Sequence, residues 1–122
     1  MISHTTLGTN NLDKAGAFYF EILNALGGTQ IYKSDTVIFW EFEEGSSKLA
    51  LTVPFDGELA TNGNGTMVAF TLNSTKKVDE VFLMALKLGA TSEGGPGERN
   101  GGAYYGAYFR DLDGNKIAIF HR

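Results

Sequence analysis

The sequence predicts an α+β fold: two βαβββ modules forming curved mixed sheets around a pocket, with the helices on the outer face. Three observations predict it. One order of elements (strand, cap, amphipathic helix, glycine, strands) occurs twice within 122 residues. The strands put aliphatic side chains on one alternation face and small ones on the other. The composition, 43% hydrophobic and 20% charged with nine Phe, five Tyr and one Trp, is that of a globular chain rather than a disordered one.

The elements follow in order. Residues 2–9 alternate loosely and are rich in Thr, as in a strand. Asn10 or Asn11 offers a helix N-cap, and Asp13 suits the first turn. Leu12, Ala15, Phe18, Tyr19, Ile22 and Leu26 then recur at the three-and-four spacing of one helical face. Gly27-Gly28 ends that helix, because glycine takes the left-handed exit conformation without steric cost. Three short strands follow at about residues 29–33, 36–42 and 48–53, with turn residues at Ser34-Asp35 and at Glu44-Gly45-Ser46-Ser47. Residues 55–64 carry little periodicity and read as a linker between module 1 (about 1–54) and module 2 (about 65–122) of a single domain.

The pattern then restarts. Residues 66–72 form a strand and Ser74 a candidate N-cap. Val78, Val81, Phe82, Ala85, Leu86 and Leu88 make a second apolar face, closed by Gly89. Residues 94–102, with Arg99 among five glycines, read as a mobile loop able to act as a lid. Residues 103–110 and 116–120 are strands joined by a turn at Asp113-Gly114-Asn115. A displacement of 63 residues superposes His4, Leu7 and Asn10 on Met67, Phe70 and Asn73, Ala15 on Val78, and Tyr19 on Phe82. Near the end of each half, Lys48-Leu49-Ala50-Leu51 parallels Lys116-Ile117-Ala118-Ile119.

Composition narrows function. A net charge of −4 argues against nucleic acid and against anionic membrane surfaces, both of which require a basic footprint. The chain has no cysteine, so disulfides, thiolate metal sites and cysteine nucleophiles are excluded. No signal-like N-terminus and no bilayer-length apolar run occur, and a cytoplasmic location is expected. There is no phosphate loop and no G-x-S-x-G elbow.

Several motifs together resemble the vicinal oxygen chelate superfamily, the glyoxalase, bleomycin resistance and dioxygenase group. They are His4 in the first strand, Asn11-Leu12-Asp13, Phe18-Tyr19, the run Gly65-Thr66-Met67-Val68-Ala69-Phe70, and Phe109-Arg110-Asp111-Leu112-Asp113-Gly114-Asn115-Lys116-Ile117. The last is similar to the family's RDPDGN hairpin, with Leu112 where proline is usual. The resemblance spans nearly the whole chain and implies the two-module fold and a homodimer.

In metal-dependent members of that family each half supplies two ligands. The matching positions here are His4, Ala50, Met67 and Ala118. Only His4 has a suitable donor, since alanine has none and a thioether is a poor partner for hard or borderline ions. No metal or other cofactor is therefore expected.

The resemblance and the alternation pattern together nominate a ligand pocket. His4, Ala50, Thr52, Met67 and Ala118 are its small or polar floor. Trp40, Phe55, Tyr105 and Tyr108 are candidate aromatic walls, and Arg99 is a candidate partner for an anionic ligand. Tyr104 shares a strand face with Tyr108, and Tyr105 lies opposite. Arg110 and His121 read as solvated. Glu43, Glu44, Asp111 and Asp113 read as turn residues, whereas Glu41 shares a face with Val37 and Phe39.

Three functions compete: a metal-independent protein that encloses a small organic molecule, a lactoylglutathione-lyase-like lyase or isomerase using His4 as general base with a tyrosine or Thr52 hydroxyl steadying an enolate-like intermediate, and a structural or regulatory module with a vestigial pocket.

Overall fold

The computed structural model describes residues Met1–Arg122, which divide into two compact units, Met1–Thr61 and Asn62–Arg122. Each is a βαβββ module, as expected, and the fold is α+β.

The first unit runs β1 (His4–Gly8), α1 (Leu12–Ala25), β2 (Thr29–Lys33), β3 (Val37–Glu41) and β4 (Lys48–Thr52), in the sheet order β1-β4-β3-β2. Asn11 starts α1: its extended backbone turns the side chain to accept a hydrogen bond from Lys14 N at 3.0 Å. Gly27, at φ +83°, ends it, and Gly28 N donates to Leu23 O at 2.7 Å in the closure typical of a glycine-terminated helix. Ala15, Phe18, Tyr19, Ile22 and Leu23 are the buried stripe of α1. They meet the sheet face made by Leu7, Ile38, Trp40, Leu49 and Leu51. The approach is close, because a Cβ on Gly16 would come within 2.8 Å of Ile38 Cδ1. Removing a buried Leu or Ile from such a layer costs about 2–5 kcal/mol.

The second unit repeats this plan with β5 (Met67–Thr71), α2 (Thr75–Lys87), β6 (Thr91–Arg99), β7 (Tyr104–Arg110) and β8 (Lys116–His121), in the order β5-β8-β7-β6. Ser74 caps α2 by accepting from Lys77 N at 3.1 Å. Gly89, at φ +106°, ends it, with Ala90 N donating to Ala85 O at 3.0 Å. Val78, Val81, Phe82 and Ala85 pack under the sheet face of Phe109, Ile117 and Ile119.

The registers of the two sheets match. His4 lies opposite Lys48 and Thr6 opposite Ala50, while Met67 lies opposite Lys116 and Ala69 opposite Ala118. In the middle of each sheet Phe39 opposes Ala50 and Tyr108 opposes Ala118. The repeat thus extends from residue order to strand pairing.

The expected glycine loop is corrected. Residues Thr91–Arg99 form β6, and only Asn100–Gly102 make a short 3₁₀ turn. Main-chain pairing to β7, which needs no side chain, carries the strand. The glycines instead mark two register slips, between Ser92 and Gly94 and between Gly94 and Gly97. Arg99 therefore sits at a strand end opposite Tyr104 and not in a lid.

The segment after β4 folds back on the first unit. Asn10 Oδ1 accepts from Ala60 N at 2.7 Å and Asn10 Nδ2 donates to Ala60 O at 3.2 Å, so one side chain pairs with a main-chain unit as a neighbouring strand would. The hairpin between β7 and β8 is held by the Asp111 carboxylate, which accepts from Asp113 N, Asn115 N and Asn115 Nδ2, each at 2.9 Å. Gly114, at φ +86°, makes the left-handed step.

Candidate functional site: the open sheet faces

Residues directly opposite on paired strands share a face. Each sheet therefore has one face under its helix and one turned away from it. On the first sheet the open face carries His4, Thr6, Val37, Phe39, Glu41, Lys48, Ala50 and Thr52. The His4 ring meets Phe39 edge-on at 5.3 Å between centroids, and Tyr32 meets Phe39 at 6.4 Å. Ser3 Oγ lies 2.8 Å from His4 Nδ1. Glu41 is engaged, with Lys48 Nζ 3.4 Å from its Oε1 and Gly45 N donating to the same oxygen at 3.2 Å. Thr52 Oγ1 points at two main-chain carbonyls, those of Val53 at 2.9 Å and Thr36 at 3.2 Å. That hydroxyl is committed to the backbone, which argues against the role of steadying an intermediate.

On the second sheet the open face carries Met67, Ala69, Thr71, Lys116, Ala118, Phe120, Tyr108 and Tyr104, with Arg99 opposite Tyr104. The Tyr104 and Tyr108 hydroxyls are 2.5 Å apart. That hydrogen bond, aided by desolvation, raises the Tyr108 pKa above the ordinary phenol value, against a smaller opposing pull from Arg99. The Arg99 guanidinium and the Lys116 ammonium each lie 5.6 Å from the Tyr108 ring centroid. Arg99 Nη2 donates to Gly95 O at 2.5 Å, while its Nε is shielded from solvent without an acceptor. Leaving a shielded donor unmet costs about 1–3 kcal/mol. Tyr104 meets Phe120 edge-on at 5.9 Å, and Arg122 lies 5.3 Å from the Phe120 centroid.

Three expected pocket walls lie elsewhere. Trp40 alternates with Phe39, so it faces α1; it is 1% exposed and its Nε1 has no hydrogen-bond partner. Tyr105 is on the helix side of β7 and donates to Asp79 Oδ1 at 2.6 Å, a bond that raises its pKa. Phe55 lies on neither sheet; it is fully exposed in the segment after β4. Arg110 is not simply solvated. Its Nε donates to Glu93 Oε1 at 2.5 Å and its Nη1 to Gly114 O at 3.0 Å. The first of these bonds holds the Glu93 carboxyl below its usual range. His121 is also engaged, its Nδ1 lying 2.8 Å from Leu72 O. Phe39, Tyr32, Lys116 and Phe120, all on the open faces, were not nominated from the sequence. For Phe39, Lys116 and Phe120 the available signal was a shared alternation face with Glu41 or Ala118; for Tyr32, on β2, there was none.

The residues at the family's four ligand positions do not fit a divalent metal. Ala50 is 1% and Ala118 4% exposed, and each offers only a methyl group. Met67 offers a thioether, and His4 is left as the one good donor. No three His, Cys, Asp or Glu residues gather into a metal-binding group anywhere in the chain. No helix is long and apolar enough to cross a membrane.

A family model described as the Glyoxalase/Bleomycin resistance protein/Dioxygenase superfamily matches residues 1–119. Among solved structures, a glyoxalase/bleomycin resistance protein from Albidiferax ferrireducens T118 is 33% identical, with 100% of this chain and 98% of that chain covered and a TM-score of 0.91. A glyoxalase-related enzyme from Fulvimarina pelagi is 19% identical over 100% of this chain and 88% of that one, with a TM-score of 0.82. Lactoylglutathione lyase from Agrobacterium tumefaciens is 21% identical over 99% and 92%, with a TM-score of 0.73. The last two show likeness of fold alone. No curated protein matches the sequence.

Proposed function

The chain belongs to the glyoxalase/bleomycin resistance protein/dioxygenase superfamily, and from that premise we propose that it binds a small organic molecule against its open sheet faces without a divalent metal. The observation that carries this reading is the pair of buried alanines, Ala50 and Ala118, at positions where metal-dependent relatives need donor atoms. The faces offer instead aromatic rings, phenol hydroxyls and unpaired cations, which supply apolar contact area with a few directional polar groups. A cytoplasmic setting and a homodimeric state go with this reading, the first from the lack of cysteine and the second from the habit of the family.

The test has two parts. Elemental analysis of the purified protein is expected to find no stoichiometric nickel, zinc or iron. A thermal-shift screen of small aromatic acids, amides and glutathione adducts is expected to give stabilising compounds whose effect survives EDTA. Stoichiometric metal, or stabilisation abolished by EDTA, overturns the reading.

One observation favours a second reading, a lactoylglutathione-lyase-like lyase or isomerase. His4 is exposed on the open face with Ser3 Oγ at its Nδ1, and in the tautomer whose Nδ1–H donates to that hydroxyl Nε2 is the nitrogen that takes a proton. Turnover of the methylglyoxal–glutathione adduct that is lost in His4→Ala supports this reading. Turnover unchanged in that variant removes His4 from it.

A further inference from the structure

We propose that the open face of the second sheet holds an anion subsite, in which Arg99 and Lys116, seated around the Tyr108 ring, take the carboxylate of a small organic acid. The proposal deepens the small-molecule-binding reading and rests on it.

The comparison of the two sheets carries the argument. Lys48 and Lys116 hold the same register position, one opposite His4 and the other opposite Met67. On the first sheet the residue across from Lys48 on the central strand is Glu41, and the two form an ion pair at 3.4 Å. On the second sheet the residue across from Lys116 is Arg110. Like charges directly opposite on paired strands are unfavourable. Arg110 turns to Glu93 at 2.5 Å, and Lys116 feels that carboxylate only as a weak, more distant pull. Lys116 is therefore left without a carboxylate partner.

Arg99 is in the same condition. It makes no ion pair, spends one donor on Gly95 O, and has a shielded Nε with no acceptor. Both cations lean on one phenol ring, which gives them a weak attraction and no neutralising charge. The Tyr104–Tyr108 hydroxyl pair adds a donor beside them. Phenols are protonated at neutral pH, so one hydroxyl of the pair donates to the other and the second keeps a proton to donate outward.

The charge of the chain sharpens the point. Met1–Thr61 carries three basic and eight acidic residues, whereas Asn62–Arg122 carries seven basic and six acidic. A cluster of unpaired cations in an acidic protein is a local feature that general composition does not explain. A carboxylate suits it, since a guanidinium fork and an ammonium both attract its charge and form charge-assisted hydrogen bonds with carboxylate oxygens.

The test is an amide NMR titration of the full chain with sodium benzoate and, separately, with the neutral analogue benzamide at constant ionic strength. Benzoate is expected to shift the amides of Arg99, Tyr104, Tyr108 and Lys116 saturably, and to bind at least about tenfold more tightly than benzamide. Arg99→Gln and Lys116→Gln are each expected to weaken benzoate about tenfold and leave benzamide unchanged, while Lys87→Gln on α2 changes neither. Equal binding of benzoate and benzamide on this face overturns the anion subsite and leaves the small-molecule reading standing. Benzoate binding that is indifferent to Lys116→Gln, or shifts confined to other residues, also overturns the subsite. Failure of the screen in the preceding section to find any ligand overturns both.

Discussion

Tyr104 and Tyr108 sit four residues apart on one strand, and their hydroxyl oxygens are 2.5 Å from each other. The contact favours the protonated form of Tyr108, as the bond to Asp79 does for Tyr105. A phenol whose pKa is raised in the folded state adds stability that is fully present below its ordinary value of 10.0 and is lost as pH rises through the higher folded value. Spectrophotometric titration at alkaline pH is expected to show late-ionising tyrosines, with one late step removed in Tyr108→Phe and another in Tyr105→Phe. A wild-type curve with all five tyrosines ionising near pH 10 contradicts this.

The acid side has a different sensor. Glu93 is held below its ordinary pKa of 4.5 by the hydrogen bond from Arg110. Its contribution is present above pH 4.5 and is lost as pH falls through the lower folded value. Glu93→Gln is expected to lower the urea midpoint slightly at neutrality and to flatten its dependence on pH below 4.5, so that variant and wild type converge in acid. An acid limb identical to wild type removes the pair from the explanation.

Asp111 is expected to matter for folding rather than chemistry. Its nearly buried carboxylate satisfies two amides and the Asn115 side chain. Asp111→Ala strands those donors and is expected to cost about 3 kcal/mol in urea unfolding. A cost near zero indicates that the turn holds by backbone pairing alone.

Trp40 makes the converse case. The indole Nε1 has no partner, so Trp40→Phe removes an unsatisfied donor together with some packing. The expected loss is below about 2 kcal/mol, against about 3–5 kcal/mol for Trp40→Ala. Similar losses for both variants indicate that the indole packing lost in Trp40→Phe outweighs the relief of the unmet donor.

Asn10 pins the segment after β4 through both of its side-chain polar atoms. Asn10→Ala is expected to speed hydrogen exchange at Ala60 by at least about tenfold while the amides of β4 keep their protection. Unchanged exchange at Ala60 shows that other contacts hold the segment.

Much of this architecture was legible because it rests on local chemistry. The caps at Asn11 and Ser74 follow from short oxygen-bearing side chains ahead of an apolar stripe. The helix exits at Gly27 and Gly89 follow from the need for positive φ. β6 was not legible, because its pairing with β7 is made by the main chain and glycine content argues for a loop. The placement of Trp40 was within reach. It alternates with Val37, Phe39 and Glu41, and the open face belongs to those three. Lys116 was missed as a site residue because its importance lies in a missing partner. That became visible only when strand register set it against Arg110 where Lys48 has Glu41.

The two slips in β6 have a consequence for how the protein behaves at high concentration. β6 is the outermost strand of its sheet, with Pro96 lacking an amide hydrogen and Gly94 displaced from regular pairing. An incoming extended segment needs an evenly spaced row of donors and acceptors to dock, and this rim interrupts that row. The same glycines that disguise the strand in the sequence make it a poor template for aggregation.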